Sequence, residues 1–244
     1  PVTEYLFKHP LTQEVALASQ LQEKRKKLHA AVAQVIEAAH TADLDQQSAL
    51  VAHHWEQSGN LAQAVRWHRR AAEWTSTRDS VEGLKHWGKV RDLGHSLSDD
   101  EAKDSRLRAC VAILAQGWRV GIGGSEARGC LDEARVLAQQ LGRPSAFAVA
   151  LASVATSLTV RGQMGEALKY AEEAFGMIEG GTAVGERLTI EVHHSYSLFC
   201  AGNLSRALAG FDRIIELCDA DPSPGRELLN FSAWTWAETF RAAL

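Results

Sequence analysis

The chain has 244 residues, 45% hydrophobic and 23% charged, a balance that excludes a disordered polymer. Its formal net charge of -4 leaves no basic footprint for DNA or RNA, and no stretch approaches the roughly 18–20 apolar residues that cross a bilayer. Four scattered cysteines without a Cys-x-x-Cys pair read as reduced thiols, and no signal peptide is visible, so a cytoplasmic protein is expected.

Residues 1–10 read as extended, closing at Pro10, with Thr12 as N-cap of a helix over 15–21. A helix over 23–39 follows, with Leu28, Val32 and Val35 or Ile36 on one face, and then a turn at 41–45. Helices over 46–58 and 61–77 form a first clear hairpin. Further helices are expected over 80–97 and 100–119, then a Gly-rich loop at 120–125. The rest should run 125–141, 144–161, 164–179, 185–201, 204–219 and 225–242. The last carries Phe231, Trp234, Trp236 and Phe240. It reads as half of a hairpin whose second half is missing, with Trp234, Trp236 and Phe240 left as an exposed patch for association or dimerisation. The chain opens on Pro1 rather than Met, so a piece of a longer polypeptide is expected.

An internal repeat organises these helices. Gly59-Asn60-Leu61-Ala62-Gln63-Ala64-Val65, Gly162-Gln163-Met164-Gly165-Glu166-Ala167-Leu168 and Gly202-Asn203-Leu204-Ser205-Arg206-Ala207-Leu208 align without gaps. Downstream, the apolar stripe repeats as Ala64, Val65, His68, Ala71, Ala72, Thr75, then Ala167, Leu168, Ala171, Ala174, Phe175, Ile178, then Ala207, Leu208, Phe211, Ile214, Ile215, Cys218. Steps of one, three and four put each set on one helical face. Upstream, Trp55, Leu158 and Leu198 stand four before the glycine. The small residues Ala52, Ala155 and Ser195 stand seven before it, where they allow paired helices to approach closely. The glycine ends the first helix in a left-handed cap. Gly129-Cys130-Leu131-Asp132-Glu133-Ala134 reads as a drifted further copy.

This pattern resembles the tetratricopeptide repeat, although the closing proline is absent and the spacings depart from that family's roughly 34 residues. The resemblance implies an all-α fold, a right-handed α-solenoid of about six hairpins. Residues 5–16, with Phe7-Lys8-His9-Pro10-Leu11-Thr12-Gln13-Glu14-Val15-Ala16, the basic Arg25-Lys26-Lys27-Leu28-His29, and Ala52-His53-His54-Trp55-Glu56-Gln57-Ser58-Gly59 resemble the STAND-type signalling ATPases, in the bacterial branch fused to class III adenylate or guanylate cyclases. LuxR-type transcription regulators, which use similar repeat sensors, are the alternative parent. The resemblance implies that 1–40 is the end of a winged-helix region with its linker and that 41–244 is the repeat domain, truncated at its C-terminal end. By position, His9 would sense nucleotide in the parent, although Pro10 stands where that motif has an acidic residue and Leu17 where the branch has Tyr.

The chain itself carries no catalytic constellation. Gly121-Ile122-Gly123-Gly124 lacks the lysine and preceding strand of a phosphate-cradling loop. His53-His54 and His193-His194 point about 100° apart within each pair, too divergent for one metal, so each pair reads as one packed and one exposed ring. Lys24-Arg25-Lys26-Lys27 wraps around its helix as a solvated surface, and Trp55, Trp67, Trp74 and Trp87 read as packing. No metal and no cofactor is expected. The expected activity is binding. A concave surface lined by the first helix of each hairpin would hold a protein segment or small inducer through His54, Glu56, Thr156 and Ser197, and regulate an upstream domain of the same polypeptide. Two other classes stay open: an RNA-binding helical repeat, which the negative charge disfavours, and an enzyme whose site hides between helices, which would need perturbed titratable groups converging in one pocket.

Overall fold

The computed structural model describes residues 21–218, 225–229 and 231–244, and every regular element among them is helical. Thr12, the helix over 15–21, His9 and the winged-helix remnant lie outside the described residues. The helices are α1 (Gln22–Ala39), α2 (Leu44–Ser58), α3 (Leu61–Thr75), α4 (Ser80–Gly94), α5 (Asp100–Val120), α6 (Gly124–Leu141), α7 (Pro144–Val160), α8 (Met164–Gly176), α9 (Val184–Cys200), α10 (Leu204–Cys218), α11 (Arg226–Leu229) and α12 (Ala233–Arg241). No helix among the described residues is long and apolar enough to cross a membrane.

Local chemistry sets most boundaries. Asn60 accepts a hydrogen bond from the Gln63 amide, Asp79 from those of Val81 and Glu82, and Asp99 from that of Ala102. Each is a side-chain N-cap that satisfies an otherwise orphaned donor. Pro144 occupies the first turn of α7, where its missing N–H costs nothing. Gly59, Gly121, Gly162 and Gly202 adopt φ of 81°, 78°, 78° and 78° and turn one helix into the next. Of the seam expected on α3, Ala64, Val65, His68, Ala71 and Ala72 are buried, while Thr75 at its end is half-exposed.

Gly121, Gly162 and Gly202 are spaced by 41 (162 minus 121) and 40 (202 minus 162) positions and occupy equivalent bends. They turn the hairpins α5–α6, α7–α8 and α9–α10. Gly129 lies inside α6 and turns nothing, so the drifted copy begins at Gly121. The expected loop at 120–125 shrinks to residues 121–123, because α5 runs to Val120 and α6 starts at Gly124. A single helix, α4, separates the Gly59 hairpin from the next, which breaks the expected unbroken series of hairpins.

That extra helix changes the phase of the stack. Consecutive helices pack from α1 through α6, and beyond them α3 packs on α5, α5 on α7, and α7 on α9. The row of touching helices is therefore α3, α5, α7, α9. The second helix of the Gly59 hairpin joins the first helices of the later ones, and α2 falls outside the row. α7 is the centre of this row. It is apolar on every side, and Ala146 through Ser153 are buried without a break.

The C-terminal region departs from a single helix over 225–242. It divides into α11 and α12 because the Ser232 hydroxyl caps a new start, accepting from the Thr235 amide at 3.3 Å. α12 folds onto α10, burying Ala233 and Ala237. Trp236 lies 4.5 Å from Phe240 and 5.6 Å from Phe211 between ring centres, and Phe240 meets Phe199 edge-on at 5.3 Å. Trp236 and Phe240 are thus packed within the chain, and only Trp234 of the expected patch stays exposed, at 40%. α1 packs on α2 through buried Ala33.

Candidate functional site

Two adjoining cavities lie on the row of first helices. The larger holds about 450 Å³ between the end of α3, the start of α7 and α9, and the middle of α5. Its walls are Trp87, Leu107, Val111, Ala112 and Val149. The smaller, about 310 Å³, lies between the ends of α5 and α7 and the helices α9 and α12, against Trp118, Val160, Tyr196, Trp236 and Phe240. Ala115 and Leu228 line both. The short helix α11 packs on α5 and α9 and so crosses this face, with Leu228 separating the two spaces.

The polar groups here are few. Gln116 is only 4% exposed, lines the larger cavity, and its Oε1 has no hydrogen-bond partner. Arg143 Nη1 pairs with Asp104, and its Nη2 lies 3.7 Å from Glu186 Oε1. Arg108 also reaches Asp104, at 2.8 Å. In the smaller cavity His193 Nδ1 and Thr156 Oγ1 are 2.6 Å apart. Burial, with the Arg119 charge as a second cause, lowers the His193 pKa to about 4, so the ring is neutral at physiological pH. Arg119 lies over the Trp118 ring at 4.8 Å.

The four residues expected to line a groove do not come together. Thr156 faces the smaller cavity. Ser197 is buried beneath it, donating to the His193 carbonyl at 2.9 Å and lying 3.2 Å from Thr159 Oγ1. His54 belongs to α2 and faces α1, with its Nδ1 2.9 Å from His29 Nδ1. Glu56 is held by Lys89 at 2.7 Å and His68 at 3.1 Å, which ties α2 to α3 and α4. The expectation for His54 and Glu56 requires α2 to line the same surface as α7 and α9, and the interposed α4 takes α2 off that surface. Gln116, Arg143, Trp87, His193 and Leu228 were missed. Gln116 is the one with a readable signal, a lone amide within the apolar stretch Ala109–Ala115 and its continuation.

The histidine pairs divide differently from expectation. His53 is exposed and His54 half-buried, but His193 and His194 are both buried. The second ring has its own berth, stacked on Phe175 at 4.3 Å. Among the described residues no group of three or more His, Cys, Asp or Glu side chains is arranged to hold a metal ion. Groups with perturbed protonation gather in clusters: Glu56, His68 and His86 where α2, α3 and α4 meet, and Arg91, Cys110, Cys130 and Glu133 between α4, α5 and α6. A third set, Arg119, His193 and Tyr196, lines the smaller cavity.

No protein-family model matches the chain, and no curated protein is significantly similar to it in sequence.

Proposed function

We propose that the chain is a non-catalytic sensor module, a right-handed α-solenoid of tetratricopeptide-like hairpins that holds a ligand on its concave face. The ligand is a protein segment or small inducer, and its occupancy is passed to an upstream signalling domain of the same polypeptide, of the STAND ATPase or cyclase kind. The observation that carries this reading is the pair of cavities on the single row α5, α7, α9. Three equivalent glycine bends spaced by 41 and 40 positions support the solenoid.

A ligand on this face stabilises the folded chain by mass action and raises its melting temperature. Thermal shifts across nucleotides, sugars, peptides and apolar small molecules should find compounds that stabilise the native chain but not Ala115→Trp, whose indole fills the junction of the two cavities. Ligands that stabilise both proteins equally would remove this face from the function.

A further inference from the structure

The two cavities differ in how their charges are matched. At the larger one every charged side chain already has an ionic partner: Glu73 lies 3.7 Å from Arg69, Arg108 is on Asp104, and Arg143 is shared between Asp104 and Glu186. Among the described residues, the smaller one is lined by a single charged side chain, Arg119, and by no carboxylate. Arg119 forms no ion pair with a described residue, and its contact is the face of the Trp118 ring, 4.8 Å from the guanidinium carbon. The side chain is exposed, so a ligand can meet it from solvent, yet neighbouring atoms strip enough water from it to lower its pKa. Its charge acts on the His193 ring of α9, another part of the same wall, and helps to keep that ring neutral. A partly desolvated cation without a counter-charge is an unfavourable arrangement that a bound anion relieves. Much of the remaining wall is aromatic, from Trp118, Tyr196, Phe231, Trp236 and Phe240, and such rings pack well against a flat apolar body. The space of about 310 Å³ is at the small end of the range that encloses organic ligands.

We propose that the smaller cavity binds a small aromatic carboxylate, with its carboxylate paired to the Arg119 guanidinium and its ring among the aromatic side chains of the wall. The inference rests on the reading of the concave face as a ligand site and narrows it to one chamber and one ligand chemistry. The planar guanidinium offers parallel N–H donors that match the two oxygens of a carboxylate. One cation suits one negative charge, and the second charge of a phosphate monoester would enter an apolar space without a partner. Thr156 Oγ1 and His193 Nδ1 are already engaged with each other at 2.6 Å. Arg119 is therefore the group that sets the orientation.

A matched pair of probes tests this on the intact chain: naphthylacetate and naphthylacetamide, which share a shape and differ in that only the first is charged at neutral pH. Titration calorimetry should show the carboxylate binding about tenfold more tightly than the amide, the factor expected for one charge-assisted pair at a partly exposed guanidinium. Arg119→Gln should bring the two to equal affinity, and because Arg119 is exposed and forms no ion pair this variant should keep the fold. Ala115→Trp, which fills the junction of the cavities, should weaken both probes. Circular dichroism of each variant establishes that it folds. Equal binding of the two probes to the native chain, a carboxylate preference that survives Arg119→Gln, undiminished binding to Ala115→Trp, or no binding of either probe overturns the inference. In each of those cases the broader reading stands if another compound stabilises the native chain and not Ala115→Trp. It falls as well if every stabilising ligand is indifferent to that substitution.

Discussion

Histidine 68 is the clearest case of a single side chain whose chemistry follows from its packing. It is buried on the seam of α3, its Nδ1 is 2.9 Å from His86 Nδ1, and its Nε2 reaches Glu56. Burial lowers its pKa to about 4 against the raising effect of Glu56, and burial lowers that of His86 as well. Glu56 and Lys89 face His68, while Glu82 and Lys85 act on His86. His193 is lowered to about 4 by burial too. Each of these rings is neutral in the fold and titrates near 6.5 when unfolded. The unfolded chain therefore binds more protons below that value. For His68 and His193, stability present above pH 6.5 is lost as pH falls towards 4, by up to about 3 kcal/mol for each of the two, and His86 acts in the same direction. Urea midpoints should drop between pH 7 and pH 5, and His68→Gln should flatten that slope. An unchanged slope would mean that the ring is charged or solvated in the fold.

Elements are held together by two kinds of contact, one polar and one steric. Glu133 on α6 accepts from Arg91 Nε of α4 at 2.7 Å and from Arg106 Nε of α5 at 2.8 Å. Burial works against its charge, but the two guanidinium hydrogen bonds win and hold its pKa below the usual carboxylate value. This clamp anchors the extra helix α4 to the hairpin that follows it. Glu133→Gln leaves two guanidinium groups in a mostly buried site without their counter-charge, and chemical denaturation should show a loss of about 3 kcal/mol. The steric contact is at Gly210 of α10, where a Cβ would overlap the Ser195 hydroxyl of α9. Gly210→Ala should destabilise by about 1–3 kcal/mol even though alanine is the better helix former. Adding Ser195→Gly should recover most of that loss, and a double-mutant cycle showing no coupling would contradict the close approach.

At the scale of the whole molecule, stability should be graded along the stack, because apart from the short α11 lying on α5 the main packing joins helices no more than three places apart in the chain. α7 is buried along almost its full length, whereas α1 buries only Ala33 and leaves Leu28, Val32 and Val35 exposed. Hydrogen exchange should be slowest in α7 and fastest in α1, and uniform protection would instead indicate one cooperative core. The C-terminal end should respond to substitution in two ways. Trp236→Ala removes the hub of the aromatic cluster and should cost about 3–5 kcal/mol. Trp234→Ser should change stability by less than about 0.5 kcal/mol while reducing any self-association seen by sedimentation.

The helical character, the glycine bends and the buried face of α3 were legible in the sequence, because each is a local property of a few neighbouring residues. Periodicity of one, three and four selects a helix face, and a left-handed bend selects glycine. The arrest of the last helix before Ser232 was legible in principle, in the capping hydroxyl. The partners of each face were decided only by tertiary structure. The lone helix over 80–97 was legible too, but only tertiary structure shows that its interposition puts α3 in the row with α5, α7 and α9. It takes His54 and Glu56 off that row and brings Gln116 and Leu228 to one chamber. Which face lies opposite which depends on the count of helices between distant segments, a property of the whole chain that no local pattern of side chains encodes.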